Sequence, residues 1–189
     1  MTKRILIAAT LAAAGLAACS PSKGASAPAA PVASAPAAAP AAATPTAEDA
    51  RAWLKAAYDH YKQPDFSPFT KPADWFDPAL SAAIDEDARL TPEGEVGAVD
   101  GDPICNCQDP MGLKADIGEV RLISPTTAQA DVALDFSEPG GPTAPPRHIK
   151  VDLTAVNGQW RIHDVTEGSE SFLTYLKDAN AKARKAAAH

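Results

Sequence analysis

Cysteine is scarce in this chain. Three occur in 189 residues, and only Cys105 and Cys107 lie beyond the first twenty. That excludes a small scaffold held together by many disulfides. Positive charge is also short: 17 Lys and Arg stand against 24 Asp and Glu, a formal charge of −7. An acidic chain of this kind argues against nucleic acid as a partner and against electrostatic binding to anionic lipid. The apolar run Ile5 to Leu16 is about twelve residues, against the ~20 that a membrane-spanning helix needs. There is no Gly-rich phosphate loop, no nucleophile elbow, no Ser/His/Asp pattern and no methionine cluster.

What is present first is an address. Lys3 and Arg4, the run Ile5 to Leu16 and then Leu16-Ala17-Ala18-Cys19 read as a signal peptide over 1–18. The last four residues resemble a bacterial lipobox, which implies that Cys19 is acylated and becomes the first residue of the mature protein. The plainer alternative is an ordinary secretory signal with a chance cysteine. Loss of Lys3 and Arg4 with the leader takes the formal charge from −7 to −9. Two or more acyl chains hold a protein stably where one is marginal. By resemblance to other lipoproteins, Ser20 rather than Asp after the cysteine implies an outer-membrane anchor facing the periplasm. Residues 19–45 follow as a tether rich in Ser, Ala and Pro; six prolines from Pro21 to Pro45 oppose a regular helix. Fully extended it reaches at most roughly 80 Å, and as a coil about 30 Å.

Residues 46–189 read as one domain of ordinary size. Thr46 and Asp49 fit a capping box, and Ala50, Trp53, Leu54, Ala57, Tyr58 and Tyr61 form an apolar stripe at helical spacing. Pro64 should end that helix. Asp77-Pro78 opens a second, with Phe76, Leu80, Ala83, Ile84 and Leu90 inward and the acidic run Asp85, Glu86 and Asp87 on its solvated side. After Asp109 the period changes to two. Strands are expected over 119–123, 128–136, 148–156 and 159–165, with a Pro- and Gly-containing loop from Ser137 to Arg147. Asn157-Gly158 specifies a type I′ hairpin. It sets Ala155 opposite Trp160, Leu153 opposite Ile162 and Val151 opposite Asp164 on one face. Asp152 opposite His163 falls on the other. Asp164 on an apolar face needs partners or water. Ser169 can cap a final helix carrying Phe172, Leu173 and Leu176.

Helices first and an antiparallel meander after give an α+β class: a four-stranded sheet packed on N-terminal helices, with a C-terminal helix. Between the halves lies Asp100-Gly101-Asp102-Pro103-Ile104-Cys105-Asn106-Cys107-Gln108-Asp109. Asp102 to Asp109, together with Asn157-Gly158-Gln159-Trp160-Arg161-Ile162-His163-Asp164, resembles the bacterial envelope family called domain of unknown function 3828. The resemblance covers about 47–177. It implies a curved sheet wrapped into a cone, like nuclear-transport-factor-two or cystatin folds, in secreted or lipid-anchored envelope proteins. That family carries no assigned reaction, so it implies no catalytic residues and no cofactor.

The residues themselves leave several chemistries open. In an oxidising compartment Cys105 and Cys107 form a disulfide or thiol pair, the disulfide requiring a bent backbone that Pro103 and Asn106 could supply. Two thiolates with His148 or His163 could instead hold zinc or copper(I), and no further cysteine supports it. A redox dithiol lacks the two-residue spacer of thioredoxin-like motifs. Asp100, Asp102 and Asp109 invite calcium, but Ile104 and Cys105 stand where an EF-hand needs an oxygen ligand and a glycine. Asp164 is the one candidate acid or base for a pocket enzyme, and His163 points away from it. The expectation is a non-enzymatic binding or accessory module for an envelope protein or small ligand. Asp102, Gln108, Asp109, Trp160 and Asp164 are its motif and pocket residues, with no cofactor, metal or nucleic acid. The rivals are an enzyme using Asp164 and a Cys105/Cys107 metal carrier.

Overall fold

Helix α1, Ala47–Asp59, begins as its sequence dictates. The Thr46 hydroxyl accepts from the Asp49 N–H and the Asp49 carboxylate accepts from the Thr46 N–H, so both orphan donors of a capping box are satisfied. A 3₁₀ turn, His60–Lys62, extends it. The computed structural model describes residues 44–63, 65–110, 112–136 and 145–188. The leader, Cys19, the tether to residue 43, Pro64 and the Pro/Gly segment 137–144 lie outside the described residues. Among the described residues, no helix is long and apolar enough to cross a membrane.

A short helix α2, Pro72–Trp75, leads into α3, Pro78–Leu90, capped by Asp77 through the Leu80 N–H. Leu80, Ala83 and Ile84 face inward as expected. Asp87 departs from expectation. It is buried rather than solvated, because its two carboxylate oxygens each accept a backbone N–H, from Ala98 and Val99, at 3.0 Å. A Cβ at position 97 would run into the Asp87 carboxylate and the Thr91 hydroxyl, so any larger residue there must displace them.

Among the described residues the sheet has five antiparallel strands rather than four, in sequential order: β1 (Lys114–Ser124), β2 (Thr127–Asp135), β3 (Arg147–Val156), β4 (Gln159–Glu167) and β5 (Glu170–Ser171). β5 is two residues long, too short for a period-two signal. Gly168, at φ +61°, folds it back onto β4. β1 starts five residues before the expected strand, because a bulge between Ile117 and Val120 breaks its alternation. Its edge carbonyls at Ile117 and Gly118 accept the Arg51 guanidinium of α1, which blunts the edge.

Asn157 and Gly158 adopt φ +52° and +79°, as the type I′ turn requires. The expected pairs Ala155–Trp160 and Leu153–Ile162 form, with Thr154 opposite Arg161 between them. Beyond them the register shifts: Asp152 pairs with Asp164 and Val151 with Val165, leaving His163 as the extra residue of a bulge. Helix α4, Phe172–Ala187, is capped by Ser171, two residues later than Ser169, because β5 intervenes.

One face of the sheet is the core. Val132, Leu134, Val151, Leu153 and Ile162 are almost fully buried there against Leu54, Leu80 and Leu176 of α1, α3 and α4. Burying each such side chain contributes about 1.5–3 kcal/mol. α3 and α4 are also joined by Asn180, whose side-chain amide donates to the Ala83 carbonyl at 2.8 Å. α3 meets the sheet where the Asp77 N–H donates to the Ile162 carbonyl at 2.9 Å.

Candidate functional site

The segment between α3 and β1 folds into a tight turn whose ends pair. The Asp102 N–H donates to the Cys107 carbonyl at 2.7 Å, and the Cys107 N–H donates back at 3.2 Å. Asn106 takes a left-handed φ of +47°, a conformation that Asn tolerates well. The bend brings the Cα atoms of Cys105 and Cys107 to 5.2 Å, and the two sulfurs are bonded as a disulfide. An extended strand would have held those Cα atoms near the limit for a bridge. Cys105 is wholly buried in the core cluster; Cys107 is partly exposed.

Two groups of residues hold the turn, and sequence reading found neither. Beneath it, the Asp102 carboxylate accepts the Tyr61 hydroxyl at 2.6 Å and the Ile104 N–H at 2.8 Å. The Tyr58 hydroxyl donates to the Ile104 carbonyl at 2.8 Å. Burial pushes the Asp102 carboxyl above its ordinary range. Burial, then the neighbouring Asp102 charge, pushes both phenols above theirs. The only sequence signal was Tyr in place of Phe on the α1 stripe. Above the turn, Arg147 binds Glu167 in a bidentate pair at 3.1 and 2.6 Å and donates to the Asn106 carbonyl at 2.8 Å. The Asn106 amide completes the clamp on Glu167 at 2.5 Å. Arg147 holds the Glu167 carboxyl below its usual range.

Beside the turn lies a cleft of about 580 Å³, between Pro103 and Asn106 on one wall and Phe172 and Tyr175 of α4 on the other. Asp100, Glu167, Glu170 and Asp178 line it, and among the described residues no Lys or Arg does. Tyr175 is 56 % exposed there. A second recess, of about 390 Å³, abuts it and is lined by Asp102, Cys107, Gln108 and Arg147. The two share Asp100, Pro103, Asn106 and Phe172. These surfaces suit hydrogen-bond donors and apolar groups.

The remaining expected site residues are dispersed. Asp109 is exposed. Trp160 is buried in the core and lines neither cleft. Asp164 is buried on the apolar face, as the pattern required, and its need for partners is met. It accepts the Val165 and Leu173 N–H groups at 2.8 Å and the Ser171 hydroxyl at 2.6 Å. It therefore ties β4 to the start of α4. His163 does not pair with Asp152, which takes the Gln129 amide instead. The bulge turns His163 to the cap residue of α3, Asp77, at 2.7 Å. His148 is exposed on β3. Among the described residues, no group of three or more His, Cys, Asp or Glu converges as a metal site would.

No protein-family model matches the chain. No curated protein matches it either.

Proposed function

We propose that this protein is a lipid-anchored, non-enzymatic module of the bacterial envelope, and that the cleft between the cysteine turn and α4 is its binding face. Cys19 carries the lipid, residues 20–45 are the tether, and the outer membrane facing the periplasm is the location. The sheet and helices form the cone of the domain of unknown function 3828 family, of nuclear-transport-factor-two or cystatin type. The occupant is an envelope protein or a small ligand.

One observation carries this reading. Pro103 and Asn106, from the stretch that carries the family resemblance, line a cleft of about 580 Å³ with Asp100 and the exposed Tyr175. Asp164, by contrast, is buried, accepts from Val165, Ser171 and Leu173, and lines neither cleft. A general base must reach a substrate proton.

A photo-crosslinking residue in place of Tyr175, expressed in cells of the source organism, tests it. One discrete adduct is expected, lost when Phe172→Asp alters the same wall. Equal labelling from Tyr175 and from the distant Ile123 would contradict a binding face here. Labelled palmitate should be incorporated and lost in Cys19→Ala. A turnover that vanishes in folded Asp164→Asn would establish the enzyme instead.

A further inference from the structure

The Cys105–Cys107 bond is built asymmetrically. Cys105 is fully buried. Cys107 is partly exposed and lines the 390 Å³ recess with Gln108 and Arg147. Cys107 is therefore the residue of the pair that an incoming thiol can approach. The buried sulfur already has somewhere to place a proton: Cys105 Sγ lies 3.7 Å from the Asp102 carbonyl oxygen and 3.9 Å from that of Cys107. A reduced Cys105 thiol would have either oxygen within reach as an acceptor. Contacts other than the sulfur bond also hold the turn. The paired backbone bonds between Asp102 and Cys107 close it, and Arg147 clamps it through Asn106. A disulfide that closes so short a loop constrains the unfolded chain little.

We propose that Cys105–Cys107 is an exchange-reactive disulfide, with Cys107 as the attacked sulfur, Cys105 as the leaving sulfur and a small or protruding thiol as its substrate class. The attacking thiol releases its proton to solvent. Its sulfur bonds to Cys107 Sγ, the bond between Cys107 and Cys105 breaks, and the electron pair goes to Cys105 Sγ, which takes up a proton. A second thiol of the substrate then attacks the substrate sulfur of the mixed disulfide and releases its proton to solvent; the bond to Cys107 Sγ breaks, and Cys107 Sγ takes up a proton. The substrate leaves as a disulfide, oxidised by two electrons, and Cys105 and Cys107 remain as two thiols. The exchange is stoichiometric, one electron pair per chain, and it goes beyond the binding role proposed above.

Oxidised glutathione is the probe, applied to the full chain carrying Cys105→Ser or Cys107→Ser, with adducts located by peptide mass so that Cys19 is not counted. The expected result is an adduct at Cys107 in C105S forming at least about tenfold faster than any at Cys105 in C107S, because accessibility governs exchange. Equal rates, or no adduct at Cys107, would overturn the proposal. Wild-type chain provides a second reading should a variant not fold. With dithiothreitol and no denaturant, thiols at 105 and 107 should appear while the near-ultraviolet circular dichroism is retained. Thiols that appear only as that signal is lost would equally overturn it.

Discussion

Asp164 offers the sharpest test of how the sheet is joined to α4. Its carboxylate accepts three hydrogen bonds, two of them from buried backbone N–H groups of Val165 and Leu173. In Asp164→Ala both N–H groups lose their acceptor in a place water does not reach. Each orphaned donor costs about 1–3 kcal/mol, so the variant should lose about 4 kcal/mol. The Ser171 hydroxyl adds little to that, because it can turn to Thr174 Oγ1 at 2.9 Å. Asp164→Asn is isosteric. Its amide oxygen keeps both N–H bonds, and its amide nitrogen can donate to Ser171. What it loses is the charge assistance, about 1 kcal/mol per bond and about 1–3 in all. With a urea slope of about 2 kcal/mol/M, the Ala variant should unfold at roughly 2 M less urea and the Asn variant at roughly half that displacement. Equilibrium urea unfolding followed by circular dichroism reads both. An Asp164→Ala midpoint within about 0.25 M urea of wild type, about 0.5 kcal/mol at that slope, would refute the anchoring role.

Three further outcomes follow from the same contacts. Gly97→Ala should destabilise the domain by about 1–3 kcal/mol in the same urea assay, because its Cβ displaces the Asp87 carboxylate from the loop N–H groups, whereas Gly94→Ala, with open space around it, should be limited to backbone strain. Two carboxyls should pull the pH dependence of stability in opposite directions. Arg147 depresses Glu167, so that contribution is present above its ordinary value of 4.5 and fades as pH falls through the lower folded value, with a size limited by exposure. Burial raises Asp102, so its contribution is complete below the ordinary 3.8 and is lost as pH rises through the folded value. Urea midpoints between pH 3 and 7 should therefore fall less steeply in acid for Glu167→Gln and more steeply for Asp102→Asn. Removing both Cys105 and Cys107 as serines should cost about 1.6 kcal/mol, the loop-entropy value for three residues, rather than the ~3–5 of a long-loop disulfide.

Signals carried by adjacent residues were legible in the sequence. Thr46 with Asp49, Asp77-Pro78 and Asn157-Gly158 each satisfy their own local backbone, and each forms as read. Alternation along β2 marked its buried face, with Ala128, Ala130, Val132 and Leu134 all inward. Contacts between distant residues were not legible. Asp87 looks like part of a solvated acidic run, and only the Ala98 and Val99 amides bury it. His163 has its partner 86 residues away at Asp77, reached through a bulge that no turn signal announces. Asp164 was placed on the correct face with an unmet need for partners, but two of the three donors that meet it come from β5 and α4 after a Gly168 turn too short to read. The Arg147, Glu167 and Asn106 clamp joins three segments, each with one unremarkable residue.

The state of Cys105 and Cys107 in the native protein separates a bonded wall beside the cleft from a free thiol pair and from a metal-thiolate site. Peptide mass mapping of chain isolated from an oxidising compartment under thiol-blocking conditions, paired with native mass, reads that state directly. The bonded wall predicts a 105–107 peptide two hydrogens lighter than its reduced form and no metal-sized gain in native mass. Two blocked thiols, or a gain in native mass that disappears when both cysteines are serines, would contradict it.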